Sequence, residues 1–217
     1  MDTRTNFLMS PSRACAAAWL VATFSASPLA ASAANAQAPA SASASASASA
    51  ASAPHDGQHD FDFIIGRWKA HLRKLLHPLT GSTAWVDYDG TSVMTRLWDE
   101  RANMEEFDVA TTDPRAGERT RIEGQTLRLY DPASRQWNLY LLDAAKGKLL
   151  LPATVGAFSN GRGEFFDAEE FDGHTILVRY VWTHPAPQST HMEQSFSPDW
   201  GTTWEVNWIL DLTPQAR

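Results

Sequence analysis

Residues 59–68 read His59-Asp60-Phe61-Asp62-Phe63-Ile64-Ile65-Gly66-Arg67-Trp68 and bring in five large apolar side chains after a long tract that has almost none. From there, apolar residues at 68, 70 and 72 alternate with polar or charged ones at 67, 69, 71 and 73. This period of two is typical of a half-buried strand. We therefore predict a short helical or turn-like plug at 60–65 that closes one end of a sheet, and then the first strand.

The first 38 residues are typical of an export signal. Arg4 and Arg13 precede an apolar run at 14–26, and small residues at 34–38 offer Ala-x-Ala cleavage sites. The run is shorter than the roughly 20 apolar residues of a spanning helix. Cys15, the one cysteine, would leave with this segment, so we expect a periplasmic or secreted protein without disulfides and without membrane insertion after cleavage.

Residues 39–55 are rich in alternating Ser and Ala and hold no large apolar side chain. Such a tract cannot offset the entropy lost on ordering, which predicts a flexible linker. The remaining residues, 56–213, are enough for one domain with one core.

The net charge of the chain without its signal argues against two classes of partner. The chain has 25 acidic and 18 basic residues, and removing Asp2, Arg4 and Arg13 leaves 24 and 16, a net charge of −8. This balance argues against nucleic acid and against anionic membranes as partners.

Turn signals recur every 8–12 residues from residue 67 onward, and long helical periodicity is absent, so we predict an all-β fold. Asp89-Gly90 and Asp172-Gly173 are hairpin signals. The predicted strands are 67–76, 83–88, 91–98, 102–110, 119–130, 136–143, 147–152, 163–171, 174–183, 189–197 and 203–212. Short connections favour an antiparallel up-and-down order, and about ten strands most easily remove their edges by closing into a barrel. A two-sheet sandwich is the alternative.

The last hairpin contains Ser197-Pro198-Asp199-Trp200-Gly201-Thr202-Thr203-Trp204, which fits the Asp-box turn Ser-x-Asp-x-Gly-x-Thr-Trp. In such a turn the Asp and Thr cap backbone groups and the Trp packs beneath. One copy cannot make a propeller, so we predict a structural turn.

Several motifs together resemble a bacterial family of domains of unknown function with a calycin-like barrel. Gly66-x-Trp68 also resembles the start of the first strand in lipocalin-like barrels. This chain departs from the family pattern at Met192 and at Trp200. The motifs are Phe61-Asp62-Phe63-x-x-Gly66-x-Trp68, Leu127-x-Leu129-Tyr130-Asp131-Pro132 with Trp137, Gly161-Arg162-Gly163-Glu164-Phe165, Arg179-Tyr180-x-Trp182, and Glu193-Gln194-x-Phe196-Ser197 with Trp204-Glu205-x-Asn207-Trp208. The resemblance implies a fold and says almost nothing about activity.

Candidate site residues come from polar groups in the middle of strands and from the tryptophans. A mid-strand Arg128 or Arg179 inside a barrel would need a carboxylate or an anionic ligand group, although either could instead face solvent. If the last loop is 198–203, Gln194 lies opposite Asn207 and the two amides could orient a ligand. Tryptophans are either core filler or the wall of a cavity. If they line a cavity, we expect Trp68 to form its floor and Trp137, Trp182 and Trp208 to form its wall.

Other chemistries have weaker support. No cysteine remains after signal cleavage and no His-Glu-x-x-His occurs, so we predict no metal site. No cofactor is predicted, although a single axial histidine for haem stays open, with His174 or His191 as candidates.

Three functions follow. The preferred one is an exported barrel that binds a small apolar or amphipathic ligand through Trp68, Arg128, Trp137, Arg179, Trp182, Gln194, Asn207 and Trp208. The second is a small barrel enzyme that uses Glu193 or Glu205 as general base. The third is an envelope interaction module with a filled barrel.

Overall fold

The computed structural model describes residues 55–144, 146–186 and 188–215. The predicted signal at 1–38 and nearly all of the predicted linker lie outside these residues. No helix in the described part is long and apolar enough to cross a membrane.

Eleven strands account for most of the described residues. In chain order they are β1 (Gly66–Leu75), β2 (Trp85–Leu97), β3 (Ala102–Ala110), β4 (Arg121–Asp131), β5 (Gln136–Asp143), β6 (Lys148–Leu149), β7 (Thr154–Ser159), β8 (Arg162–Phe171), β9 (His174–Ala186), β10 (Ser189–Ser197) and β11 (Glu205–Pro214).

The ten longer strands close into one antiparallel barrel. Each pairs with its neighbour in the chain, β5 pairs with β7 past the two-residue β6, and β11 returns to pair with β1. The fold prediction of an up-and-down barrel of about ten strands is confirmed, and the sandwich alternative is wrong.

Two of the predicted turns had different outcomes. Asp172-Gly173 joins β8 to β9 as a two-residue hairpin with both residues at positive φ, as predicted. Asp89-Gly90 is not a turn, because β2 runs straight through it. A Cβ on Gly90 would lie 2.0 Å from the Asp108 carbonyl oxygen, so glycine is needed there for the close approach of β3.

One strand was missed. The predicted strand at 147–152 is only the two-residue β6, and β7 was not predicted. Gly156 and Ala157 weaken the apolar signal of β7, and glycine is required because a Cβ at 156 would lie 1.9 Å from the Glu164 carbonyl oxygen.

The predicted plug is a 3-10 turn at Asp62–Ile64 with Phe61 and Ile64 buried on its inner side. The indole of Trp68 donates to the Ile64 carbonyl at 2.6 Å, and that of Trp137 donates to the Gly57 carbonyl at 2.9 Å. These bonds fix the plug across the end of the barrel where β1 begins, which we call the plug end. The opposite end, where β1 ends and β2 begins, is the mouth end.

The Asp-box prediction is confirmed as a structural turn. The Asp199 carboxylate accepts hydrogen bonds from the Thr203 backbone at 2.8 Å and from its hydroxyl at 2.7 Å. These bonds, the backbone one first, hold the pKa of Asp199 below its usual value. Trp204 donates to the Gly201 carbonyl and packs on the outer barrel wall beside Phe166.

Candidate functional site

A cavity of about 250 Å³ lies inside the mouth half of the barrel. Its wall is mostly apolar, with a few polar groups, which is the usual composition of a small-molecule site. The apolar side chains include Phe107, Ile122, Leu139, Leu141, Trp182, Met192, Trp208 and Leu210. The polar ones include Glu105, Thr126, Arg128, Thr154, Tyr180 and Gln194.

A buried ion pair lies between the cavity and the plug. The Arg128 guanidinium donates to the Glu105 carboxylate and, at 3.1 Å, to the Asn103 side-chain oxygen. The other oxygen of Glu105 accepts from the Ser92 hydroxyl at 2.8 Å. All four side chains are buried. Because an isolated charge is very unfavourable in an apolar interior, each ion depends on the other and on these hydrogen bonds.

The strand register brings the pair together. On β3 and β4, Asn103 lies directly opposite Arg128, and Glu105 lies opposite Thr126. Glu105 is therefore the diagonal neighbour of Arg128 on the inner face, within reach of a long side chain.

Two residues that line the cavity each have a buried hydrogen-bond donor without an acceptor in the described part of the chain. Arg128 lies between the rings of Phe61 and Trp182, with its guanidinium carbon 5.2 Å from each ring centroid. Its Nε and the Trp182 indole nitrogen are buried, and neither finds an acceptor among the described residues. An unpaired buried donor is unfavourable by about 1–3 kcal/mol, so both donors suit an acceptor oxygen brought by a ligand.

The structure brings four of the predicted site residues together at the cavity: Arg128, Trp182, Gln194 and Trp208. Trp68 and Trp137 instead belong to the packed core around the plug.

Arg179 does not line the cavity. It pairs with Phe166 on the outer face, and its guanidinium carbon lies 4.4 Å from the centroid of the Trp204 ring. The prediction that it could orient a ligand inside is wrong, because Tyr180 and Trp182 take the inward positions of β9. The hairpin turn that carries Trp204 covers Arg179 from outside.

The sequence prediction for Asn207, that it lies opposite Gln194, is also wrong. Gln194 lies opposite Trp208, and the register then shifts by one residue at a bulge, after which Ser195 lies opposite Val206. Asn207 is the extra residue of that bulge, is buried, and does not line the cavity. Hydrophobic alternation does not reveal a bulge, so the expected pair of amides does not form.

The carboxylates of the enzyme hypothesis lie outside the cavity wall. Glu193 bonds to His191 at 3.2 Å, and Glu205 accepts from the Leu79 backbone N–H at 2.6 Å. The haem candidates do not line the cavity either: His174 is exposed at a hairpin, and His191 also bonds to Asp211 at 2.8 Å. Burial lowers the pKa of His191, but its two carboxylate partners outweigh this and raise it.

A second polar group inside the barrel was not predicted. On β8, Asp167 and Glu169 have the inward parity of Phe165, and Asp167 accepts from the Thr154 hydroxyl at 2.5 Å. Burial first, and then the charge of Asp167, raise the pKa of Glu169 to about 7. Burial raises the pKa of Asp167 too, and burial with both carboxylates raises that of Tyr180 well above its usual value.

One group among the described residues has the spacing of a metal site, formed by His59, Asp62 and Glu100 at the plug end. Arg96 already supplies a cation there, at 3.6 Å from Asp62 and 3.2 Å from Glu100. The group is therefore satisfied as an ion-pair network.

Comparison with known proteins identifies the fold. No protein-family model and no curated protein matches the chain. Among solved structures, the S-type phycobiliprotein lyase CPES from Guillardia theta matches 76% of this chain and 95% of its own, with 10% identity and a TM-score of 0.52. The chain therefore has a calycin- or lipocalin-like barrel fold. Its resemblance to a family of domains of unknown function stays a prediction.

Proposed function

We propose that this protein binds a small, mostly apolar ligand in the mouth half of the barrel, with an acceptor oxygen of the ligand at Arg128 and Trp182. The observation that carries the proposal is a cavity of about 250 Å³ lined by Arg128 and Trp182, each of which has a buried donor that finds no acceptor among the described residues.

The ion pair determines which polar group fits. Because Glu105 already balances the charge of Arg128, a ligand need not bring a full negative charge. A carbonyl, ester or carboxyl oxygen would accept from the free Nε–H and the indole N–H, while an apolar chain would contact Phe107, Leu141 and Trp208. Gln194 adds an amide on the same wall.

The fold supports this proposal only in general terms. The solved neighbour is named a phycobiliprotein lyase, which agrees with a barrel that handles a ligand. Its substrate does not carry over, because 10% identity supports the fold alone. The filled-barrel hypothesis requires an interior without this cavity.

Export is part of the same proposal, and it is supported by the Arg-containing start, the apolar run at 14–26 and the Ala-x-Ala sites. Fractionation of the source cells, with the mass of the mature protein, checks it. We expect periplasmic or secreted protein cleaved near residues 36–38, and full-length cytosolic protein would contradict export.

Competition against a fluorescent apolar dye tests the ligand class. The competitors are a long-chain methyl ester and the hydrocarbon of equal length. We expect the ester to compete about tenfold better, since it satisfies donors that the hydrocarbon leaves unpaired. Equal competition would contradict the proposed polar end, and no displacement by either compound would contradict the cavity as a binding site.

Two matched variants sharpen the test. Trp182→Phe removes the buried N–H and should reduce the preference for the ester. Trp208→Phe makes the same indole-to-phenyl change on the cavity wall, at a residue whose nitrogen is not among the buried unpaired atoms. Trp208→Phe should weaken the binding of the ester and of the hydrocarbon by the same factor.

A further inference from the structure

Two polar side chains on the cavity wall lie nearer the mouth end than Trp182. Tyr180 precedes Trp182 by two residues on β9, so both point inward, and their positions are about 7 Å apart along the strand. Gln194 on β10 lies directly opposite Tyr180 and also lines the cavity. Because directly opposite side chains on one face of a sheet are neighbours, the phenol and the amide form a pair.

Both members of the Tyr180–Gln194 pair are free to bind a ligand. The Tyr180 hydroxyl and the Gln194 amide form no hydrogen bond with any described residue. Neither is among the unpaired polar atoms that are closed off by packing, so both border the open cavity. The Thr154 hydroxyl, by contrast, already donates to Asp167 at 2.5 Å. The pair therefore adds unused donors and acceptors to those of Arg128 and Trp182.

The charge around the pair favours an uncharged ligand group. Burial first, and then the charges of Glu169 and Asp167, raise the pKa of Tyr180 well above its usual value. The phenol therefore keeps its proton, and it can donate one hydrogen bond and accept another, as the amide of Gln194 also can. A ligand carboxylate placed beside Tyr180 would be repelled by the same two acids.

We propose that the ligand carries a second polar group, an uncharged hydroxyl or amide, which binds between Tyr180 and Gln194. The first polar group is the acceptor oxygen at Arg128 and Trp182, so this inference rests on the proposed function. The spacing of Tyr180 and Trp182 along β9 sets the two groups about 7 Å apart, the length of roughly five carbon–carbon bonds. The ligand class is therefore an ester, ketone or acid with a hydroxyl or an amide farther along its chain.

Dye competition with methyl octanoate and three of its derivatives tests the proposal. The derivatives carry a hydroxyl on the sixth carbon, a hydroxyl on the second carbon, or a carboxylate on the sixth carbon. We expect the hydroxyl on the sixth carbon to improve competition roughly fivefold over methyl octanoate, because the Tyr180–Gln194 pair satisfies it. The hydroxyl on the second carbon should bring no gain, and the carboxylate should compete less well than the hydroxyl on the same carbon.

Three variants locate the second polar group. Tyr180→Phe keeps the ring and removes the hydroxyl, so the gain from the hydroxyl on the sixth carbon should be lost while methyl octanoate binds as before. Gln194→Met keeps the length of the side chain and should reduce the same gain. Thr126→Val is the control, because it removes a hydroxyl from the cavity wall on β4, a strand that pairs with neither β9 nor β10. It should leave the gain unchanged, and urea unfolding checks that each variant is folded.

Several outcomes would overturn the proposal. Equal competition by all four esters would remove the second polar group and leave the cavity standing as a binding site. A gain that survives in both Tyr180→Phe and Gln194→Met, or that is lost in Thr126→Val, would place the group elsewhere on the wall. Better competition by the carboxylate than by the hydroxyl would contradict an uncharged group. No displacement of the dye by any ester would contradict the proposed function as well.

Discussion

At the plug end of the barrel, Phe61 packs edge-on against Trp137 and Phe158, with ring centroids 5.2 and 4.9 Å apart. At the mouth end, Phe107 and Trp208 lie 6.3 Å apart beside an open cavity. Both halves have aromatic inner walls, but among the described residues it is at the plug end alone that a chain segment inserts a side chain between the aromatic rings. Whether a barrel tryptophan fills the core or lines a cavity is therefore decided by that segment.

Truncation at the two ends should have unequal effects. Phe61→Ala removes a fully buried ring from a packed site and should lower the free energy of unfolding by about 3–5 kcal/mol. Phe107→Ala enlarges an existing cavity and should lower it by about half as much. Urea unfolding of both variants measures the difference, and equal losses would contradict the contrast between the two halves.

The ion pair between the halves should behave as a unit. Glu105→Leu leaves Arg128 as an uncompensated buried charge, so it should lower the free energy of unfolding by about 3 kcal/mol. The double variant Glu105→Leu/Arg128→Met should recover most of this loss, since it removes both charges.

A double-mutant cycle by urea unfolding measures this coupling. The double variant should also reduce the preference for the ester over the hydrocarbon, since the Trp182 indole then remains as the one donor of the two. Additive losses would show that the two residues are not coupled, and an unchanged preference would show that Arg128 does not select the polar group.

The carboxylates in the barrel should make stability depend on pH. The pKa of Glu169 is about 7 when folded and near 4.5 when unfolded, so between these values the folded state holds the proton more tightly. Stability should therefore fall as pH rises from about 4.5 to 7.

Glu169→Gln tests this effect because it removes the titration. The free energy of unfolding of Glu169→Gln should exceed that of the wild type by about 1–3 kcal/mol at pH 8, and this difference should shrink at pH 4.5. Thermal unfolding across this range measures it. Glu170→Gln, at the next position with the opposite strand parity, is the control. A constant difference between Glu169→Gln and wild type would contradict the raised pKa.

The smallest effect should come from the exposed turn outside both halves. Asp199→Asn weakens the bonds to Thr203, so the melting temperature should fall slightly near neutral pH. The folded pKa of Asp199 is lowered, so the loss should diminish as pH falls toward that pKa. Dye binding should not change, and a large change would mean that the turn shapes the cavity.

The sequence predicted the barrel well because its alternation, its turn residues and the plug are local signals. It could not predict the bulge at Asn207 or the outward position of Arg179, since both depend on the register between strands. Glu105 was missed for the same reason. Once β3 and β4 are paired, however, a search for an acid diagonal to Arg128 finds it.

The cavity itself has no sequence signal, because it is space that no described side chain fills. Trp137 and Trp182 are both buried inside the barrel, yet Trp137 donates to the plug backbone and the indole nitrogen of Trp182 finds no acceptor among the described residues. Only the position of the plug separates them.

Diffraction from a xenon-pressurised crystal tests the central claim most directly, since xenon occupies apolar cavities. The contrast between the two halves predicts xenon in the mouth half, between Phe107, Leu141 and Trp208, and none around Phe61. Xenon absent from the mouth half, or bound in the plug half, would contradict it.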